Sequence, residues 1–396
     1  MLLRYALSFL RIILQKVMFG GKQMDVLIQN FSYITLPMVI MWAIGGTLIY
    51  LAIARRMEPT LLLPMGFGAI LVNLPAAVPG TGVQQVLDTL FAIGIDGAEL
   101  FPLMLFIGIG AMIDFTPLLT NPKLMIFGAA AQFGIFFTLA LASLLGYELR
   151  DGASIAIIGA ADGPTSIFVA MSLGSKYLGA IMVAAYSYMA LVPLIQPPII
   201  KLCTTKAERK IKMTWQGKPV SRLTRILFPI VVTVVAGLVA PDAVALIGFL
   251  MFGNLIRECG VMNSLSETAR NVLANLITIF LGITIASRMK AADFLQVDTL
   301  MIIGLGLVAF VFDTIGGVLV AKVMNLFSGT KINPMIGAAG ISAFPMSARV
   351  VHKMGLEEDN QNFLLMHAVG VNVSGQIASV IAGGLILSLV KARIGG

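Results

Sequence analysis

The apolar residues of the chain fall in runs of roughly 15–28, separated by short polar stretches. That is the length a helix needs to cross a bilayer. The runs lie near 33–54, 60–74, 100–118, 124–147, 153–174 and 178–200, then at 226–240, 242–256, 272–288, 299–326, 332–350 and 362–390. Six elements, a polar loop and six further elements follow in order. A transmembrane β-barrel would show alternating segments of about 10 residues instead. The fold class expected is therefore an all-α polytopic membrane protein.

The two sets of six resemble one another. "PMGFGAILVN" (64–73) matches "ALIGFLMFGN" (245–254), "FIGIGAMIDF" (106–115) matches "FLGITIASRM" (280–289), and "IGAADGPTSI" (158–167) matches "IGAAGISAFP" (336–345). The offsets lie between 174 and 182 residues and keep the same order. An internal repeat follows. Hydrophobic segments interrupted by Gly or Pro at matching positions of two halves point to a transporter's binding site.

Composition agrees: 58% of residues are hydrophobic and 12% charged, about half the charged share of a soluble domain. Mean hydropathy is +0.95. The net charge of +8 is concentrated between Lys201 and Arg225, where eight basic residues face one acid, Glu208. The positive-inside rule makes this loop cytoplasmic, and that orientation signal leaves no call for nucleic acid as a partner. If 153–174 and 332–350 dip in and return, Arg55 and Arg56 also lie inside and the acidic 75–99 stretch outside. Each half then makes five crossings, so the second is inverted. The expected architecture is two inverted structural repeats, each with a Gly/Pro-broken hairpin-like element, with about 10 or 11 spans plus two re-entrant elements. By segment, residues 1–30 form an N-terminal amphipathic piece, 31–200 the first repeat, 201–225 the basic loop and 226–396 the second repeat. Two cysteines and two histidines without ligand spacing exclude a zinc or other transition-metal centre.

The chemistry centres on Asp162. A carboxylate mid-span is unfavourable by ~2.5–3.5 kcal/mol and marks an ion or proton path. Gly163-Pro164 breaks the helix beside it, and freed carbonyls can face a cation where the backbone lines a cavity. Thr165 and Ser166 add hydroxyls. The matching element has no acid. Gly340 stands in place of Asp162, with Asn333, Ser342, Ser347 and Arg349 nearby and a second break at Phe344-Pro345. In the last span Asn372, Ser374, Gln376 and Ser379 cluster, and Asn372 and Ser379 share a helix face. Helix–helix glue competes as an explanation, above all for Ser374 and Gln376. Tyr188 lies mid-segment and needs a hydroxyl partner. Asp313 is a second-tier candidate deep in 299–326.

Five stretches then carry a resemblance: "GAADGPTSIF", "AYSYMALVPLIQPPI", "TTKAERKIKM", "NPMIGAAGISAFPMSARVV" and "NFLLMHAVGVNVSGQIAS". From about residue 50 to the C-terminus the chain resembles the β subunit of the biotin-dependent, sodium-translocating decarboxylases, which include oxaloacetate, methylmalonyl-CoA, glutaconyl-CoA and malonate systems. The resemblance implies a multi-pass subunit of the bacterial cytoplasmic membrane. It implies decarboxylation of carboxybiotin on a biotin carrier protein, with proton consumption and Na+ export. A carboxyltransferase α subunit, a small γ or δ subunit and a β homotrimer are the implied partners. The family's functional positions match Asp162, Tyr188, Asn333, Gly337, Ser342, Arg349 and Asn372. A shorter stretch near 80–100 than the oxaloacetate type carries favours an acyl-CoA substrate.

Together these give a working assignment. Asp162 and Asn372 hold Na+ with carbonyls freed by the Gly163-Pro164 break, supported by Thr165 and Ser379. Asn333, Ser342 and Tyr188 form a second cation site or the proton route, and Arg349 meets the carboxybiotin carboxylate. Two rivals remain: a Na+-coupled carboxylate symporter, and a membrane scaffold, which has no use for an acid at a helix break.

Overall fold

A computed structural model describes residues 33–75, 82–97, 99–215, 217 and 219–394. The expected N-terminal amphipathic segment and part of the acidic 75–99 stretch lie outside the described residues. Those described are helical, with no strand among them. The main helices are α1 (Leu36–Ala54), α2 (Pro59–Val72), α3 (Leu100–Met112), α4 (Met125–Ala130), α5 (Phe133–Leu144), α6 (Leu149–Ala156), α7 (Gly163–Ser172) and α8 (Leu178–Cys203). After the basic loop follow α9 (Arg222–Val239), α10 (Val244–Glu258), α11 (Ala274–Ala286), α12 (Val297–Phe327), α13 (Met335–Ala338), α14 (Met346–Glu358) and α15 (Leu365–Ile394). Each predicted hydrophobic run corresponds to one or two of these helices.

Seven helices among the described residues are long and apolar enough to cross a membrane, or eight if Val83–Asp96 and α3 together make one bent span. The sequence reading of ten or eleven spans also counts shorter apolar segments as crossings and sets the two broken elements apart as re-entrant. α2, for example, is apolar but only 14 residues long.

Burial separates two kinds of helix. Only 11% of the apolar window of α9 is buried, against 72% of that of α15. Leu227, Ile230, Val231, Val234 and Val235 of α9 are exposed, the surface expected against lipid. α15 is buried nearly all round and runs through the centre of the larger apolar cluster, beside α4, α7, α13 and α14. A second cluster gathers α1, α2 and α11 around Leu62, Met65 and Leu281.

Matching elements of the two halves make reciprocal contacts. Asn73, at the end of α2, donates to the Met289 carbonyl beyond α11 (2.7 Å) and accepts from the Ala291 amide (2.7 Å). Asn254, its counterpart in α10, donates to the Ile113 carbonyl beyond α3 (2.9 Å). Each asparagine thus ties down carbonyls left without partners at the end of a helix from the other half.

Candidate functional site

The first break forms where the sequence forbids a continuous helix. Pro164 has no N–H, so it can begin a helix but not continue one. The chain tightens to a 3-10 turn at Ile157–Ala160, and Ala161 turns into the left-handed region (φ 50°). Asp162 is extended at the N-cap of α7. A non-glycine residue at that φ is strained by ~1–3 kcal/mol and persists only where its surroundings fix it, commonly at functional sites.

Asp162 is 2% exposed. Three side-chain donors converge on its Oδ2: the Thr165 hydroxyl at 2.6 Å, the Gln376 amide at 3.2 Å and the Ser379 hydroxyl at 3.3 Å. Oδ1 is left without a side-chain donor. The carboxylate also stands at the positive end of α7. The Tyr186 ring lies against Gly163, where a Cβ would come within 2.3 Å of it, and the buried Tyr186 hydroxyl has no hydrogen-bond partner.

The second break meets the first. Had the helix continued, the Pro164 position would have donated to the Ala160 carbonyl. Instead the Ser342 amide reaches across from the second break and donates to it at 2.9 Å. The Ala160 carbonyl freed by Gly163-Pro164 thus takes a donor from the protein itself. Ser342 would itself have paired with the Ala338 carbonyl. That oxygen accepts from the Gln196 amide (2.7 Å) and the Ser347 hydroxyl (3.1 Å). The Ser342 hydroxyl donates to the Gly375 carbonyl of α15 at 3.0 Å.

Asn372 completes the join. Its Nδ2 donates to the Ala339 (3.1 Å) and Ile341 (2.7 Å) carbonyls of the second break, while its buried Oδ1 has no partner. Gly375 is required for this approach, since a Cβ there would stand 2.0 Å from the Gly340 carbonyl oxygen.

Other predicted residues lie elsewhere. Asn333 donates to the Arg209 and Ile211 carbonyls (2.9 Å each) and accepts from the Met335 amide, so it fastens the basic loop to the start of the second break. Arg209–Glu358 (2.6 Å) and Lys212–Asp359 (3.1 Å) ion pairs join the same loop to α14. Gly337 packs against Gly317, where a Cβ would meet the Gly317 carbonyl oxygen at 2.0 Å. The Tyr188 hydroxyl donates to the Ile303 carbonyl of α12. Arg349 is exposed on α14. Burial pushes the nearby Glu58 carboxyl up, and the Arg349 guanidinium opposes that shift. Asp313 is fully buried, and its Oδ1 accepts from the Gly134 (2.5 Å) and Ile135 (3.2 Å) amides.

The structure thus gathers Asp162, Thr165 and Ser379 around one oxygen and joins Ser342 and Asn372 to the same pair of breaks. It draws Gln376, named in the sequence with helix–helix glue as the rival explanation, onto the same oxygen, and adds Gln196 and Tyr186. Gln376 lies four residues after Asn372 and three before Ser379 on one helix face. Gln196 carries no comparable signal beyond being polar in an apolar run.

Chemically the site offers one buried negative charge, hydroxyls and two buried oxygens without partners, Asn372 Oδ1 and Tyr186 Oη. A buried polar atom without a partner calls for an explanation, and an unneutralised carboxylate in a dry interior is costly. A hard monovalent cation satisfies both, because oxygen donors without thiolate or imidazole suit hard ions. No group of three or more His, Cys, Asp or Glu side chains able to hold a metal occurs among the described residues.

Comparison with known proteins accords with this chemistry. A family model described as the Na+-transporting oxaloacetate decarboxylase beta subunit matches residues 37–390. The chain is 48% identical to the methylmalonyl-CoA decarboxylase subunit beta of Propionigenium modestum, covering 91% of this chain and 96% of that protein. It is 46% identical to the oxaloacetate decarboxylase beta chain of Haemophilus ducreyi (92% and 98% covered). It is 48% identical to the glutaconyl-CoA decarboxylase subunit beta of Acidaminococcus fermentans (92% and 96% covered).

Proposed function

The chain belongs to the family of Na+-transporting oxaloacetate decarboxylase beta subunits, and on that footing we propose that Asp162, at the meeting of two helix breaks, is the Na+ site of a biotin-dependent decarboxylase. The protein is the membrane β subunit of such a complex. The observation that carries the site assignment is the buried Asp162 carboxylate, held on Oδ2 by Thr165, Gln376 and Ser379. Oδ1, Asn372 Oδ1 and Tyr186 Oη are the oxygens open to the ion. Because Ser342 bonds one break to the other, a change at either break is felt at Asp162.

Carboxybiotin, presented by a separate biotin carrier protein, supplies the carboxyl group that leaves as CO2 while a proton is consumed. Arg349 is the exposed planar donor suited to its carboxylate. The carrier docks on the face formed by α14 and the basic loop, which is cytoplasmic by its charge. A carboxyltransferase α subunit, a small γ or δ subunit and a β homotrimer complete the complex, in the bacterial cytoplasmic membrane. The paired breaks and the reciprocal Asn73 and Asn254 contacts support two inverted repeats.

An acyl-CoA substrate is favoured over oxaloacetate. The alignment to the oxaloacetate relative of Haemophilus ducreyi runs over 425 positions, and that to the glutaconyl-CoA relative over 366, for 92% of this chain in both cases. The oxaloacetate relative therefore carries extra residues that this chain lacks.

The test is ²²Na+ uptake into proteoliposomes holding the whole complex. Uptake driven by decarboxylation and abolished by avidin supports the reading. Uptake driven by a carboxylate gradient, insensitive to avidin, would establish the symporter instead.

A further inference from the structure

Asp313 is a second membrane-buried carboxylate that the cation site does not use. It shares none of the Thr165, Gln376 and Ser379 donors that hold Asp162. Its Oδ1 takes the amides of Gly134 and Ile135, first-turn N–H groups of α5 that have no partner within their own helix. Its Oδ2 is buried and has no hydrogen-bond partner. It lies against Gly159, in the 3-10 turn that leads to Asp162, where a Cβ would come within 2.6 Å of Oδ2. One turn along the same face of α5, the Thr138 hydroxyl is also buried and without a partner.

Two features support two protonation states. The amides and the positive end of α5 favour the ionised carboxylate. The dry, apolar surroundings of Oδ2 favour the neutral acid. The elements that meet Asp313, α5 and the 3-10 turn, contain no titratable residue. Around them stand Arg150 and Asp151 on α6, Tyr186 and Tyr188 on α8, and Asp298 and Lys322 on α12 itself. None of these is hydrogen-bonded to Asp313. Asp151 is paired with Lys176 and Lys322 with Glu208.

We propose that Asp313 is a proton-binding site of the transport cycle, separate from the Na+ site and joined to it through the 3-10 turn at Ile157–Ala160. The carboxylate takes a proton on Oδ2 in one state of the break and releases it in the other. Only a proton is transferred; no bond between heavy atoms forms or breaks and no electron is exchanged. The proposal rests on the reading of Asp162 as the Na+ site.

Asp313→Asn tests it in the purified, reconstituted complex. The amide oxygen keeps both bonds to α5, so a purely structural Asp313 predicts near-wild-type turnover. A proton site predicts a decarboxylation rate lower by on the order of 100-fold. It also predicts loss of one inflection from the pH–rate profile. A wild-type rate and pH profile would overturn it. Should the variant not assemble, Asp162→Asn decides. A pH-step infrared difference spectrum of that variant must still contain the carbonyl band of a buried protonated carboxyl, and absence of the band overturns the proposal. Failure of the Asp162 reading shows separately, as an unchanged Na+ half-saturation in Asp162→Asn.

Discussion

Replacing Asp162 by asparagine separates charge from shape. The amide oxygen can take the place of Oδ2 and keep the bonds from Thr165, Gln376 and Ser379. Those bonds weaken because the acceptor is no longer charged. The interior also loses an ion that is costly to bury, so net stability changes by only about 1 kcal/mol. Cation affinity behaves differently. A unit charge about 4 Å from a carboxylate, at an effective dielectric of about 20, gains on the order of 4 kcal/mol. That is roughly a thousandfold in Kd. Ser379→Ala removes one donor and leaves the charge, so it should weaken Na+ by about fivefold, the equivalent of one ordinary hydrogen bond. The assay is the Na+ dependence of decarboxylation by the purified complex, with thermal unfolding measured on the same samples. A shift under tenfold for Asp162→Asn, or equal shifts for the two variants, would refute the electrostatic reasoning. A collapse of thermal stability in Asp162→Asn would recast the carboxylate as a structural tie.

Other outcomes follow from the same contacts. Gly375→Ala places a methyl where the Gly340 carbonyl already stands; neither backbone can swing aside, so overpacking should destabilise by about 1–3 kcal/mol and raise the Na+ half-saturation, read by thermal unfolding and Na+ titration. Asn333→Ala deprives two loop carbonyls of a donor and should speed tryptic cleavage of the basic loop while leaving Na+ half-saturation within about twofold, because the loss of a donor acts on the loop. A tenfold rise with unaltered cleavage would return Asn333 to the cation site. The Lys391 ammonium and the Ser388 hydroxyl hold the Asp242 carboxyl below its usual range. A lowered carboxyl stabilises the folded state above its ordinary value near 3.9 and loses that contribution as pH falls through the folded value. Asp242→Asn should therefore cost a few tenths of a kcal/mol at neutral pH, after allowing for solvent screening, and nothing in strong acid, as measured by unfolding midpoints across pH.

The parts of this molecule that were legible from the sequence are those fixed by local chemistry. Pro164 and the carboxylate beside it located the first break, because a missing N–H acts on the four residues before it. Hydrophobic run length placed nearly every helix, though a 14-residue apolar helix and a longer one read alike as spans. The seven-residue spacing of Asn372 and Ser379 put both on one face of α15. What stayed hidden is which distant group supplies each missing bond. The break leaves the Ala160 carbonyl in need of a donor, and a sequence shows the need without the donor, which is the Ser342 amide 182 positions away. The Ala338 carbonyl finds Gln196 in the same manner. Asn333 illustrates the converse. Its polarity in an apolar segment signals a buried partner, but that partner is the backbone of the basic loop, and only the folded chain distinguishes a clasp from a ligand. The asymmetry between the halves then has a physical origin. Pro164 cannot return the bond that the Ser342 amide gives, so the second break must be capped by side chains from α8 and α14, and the first is left free to carry a charge.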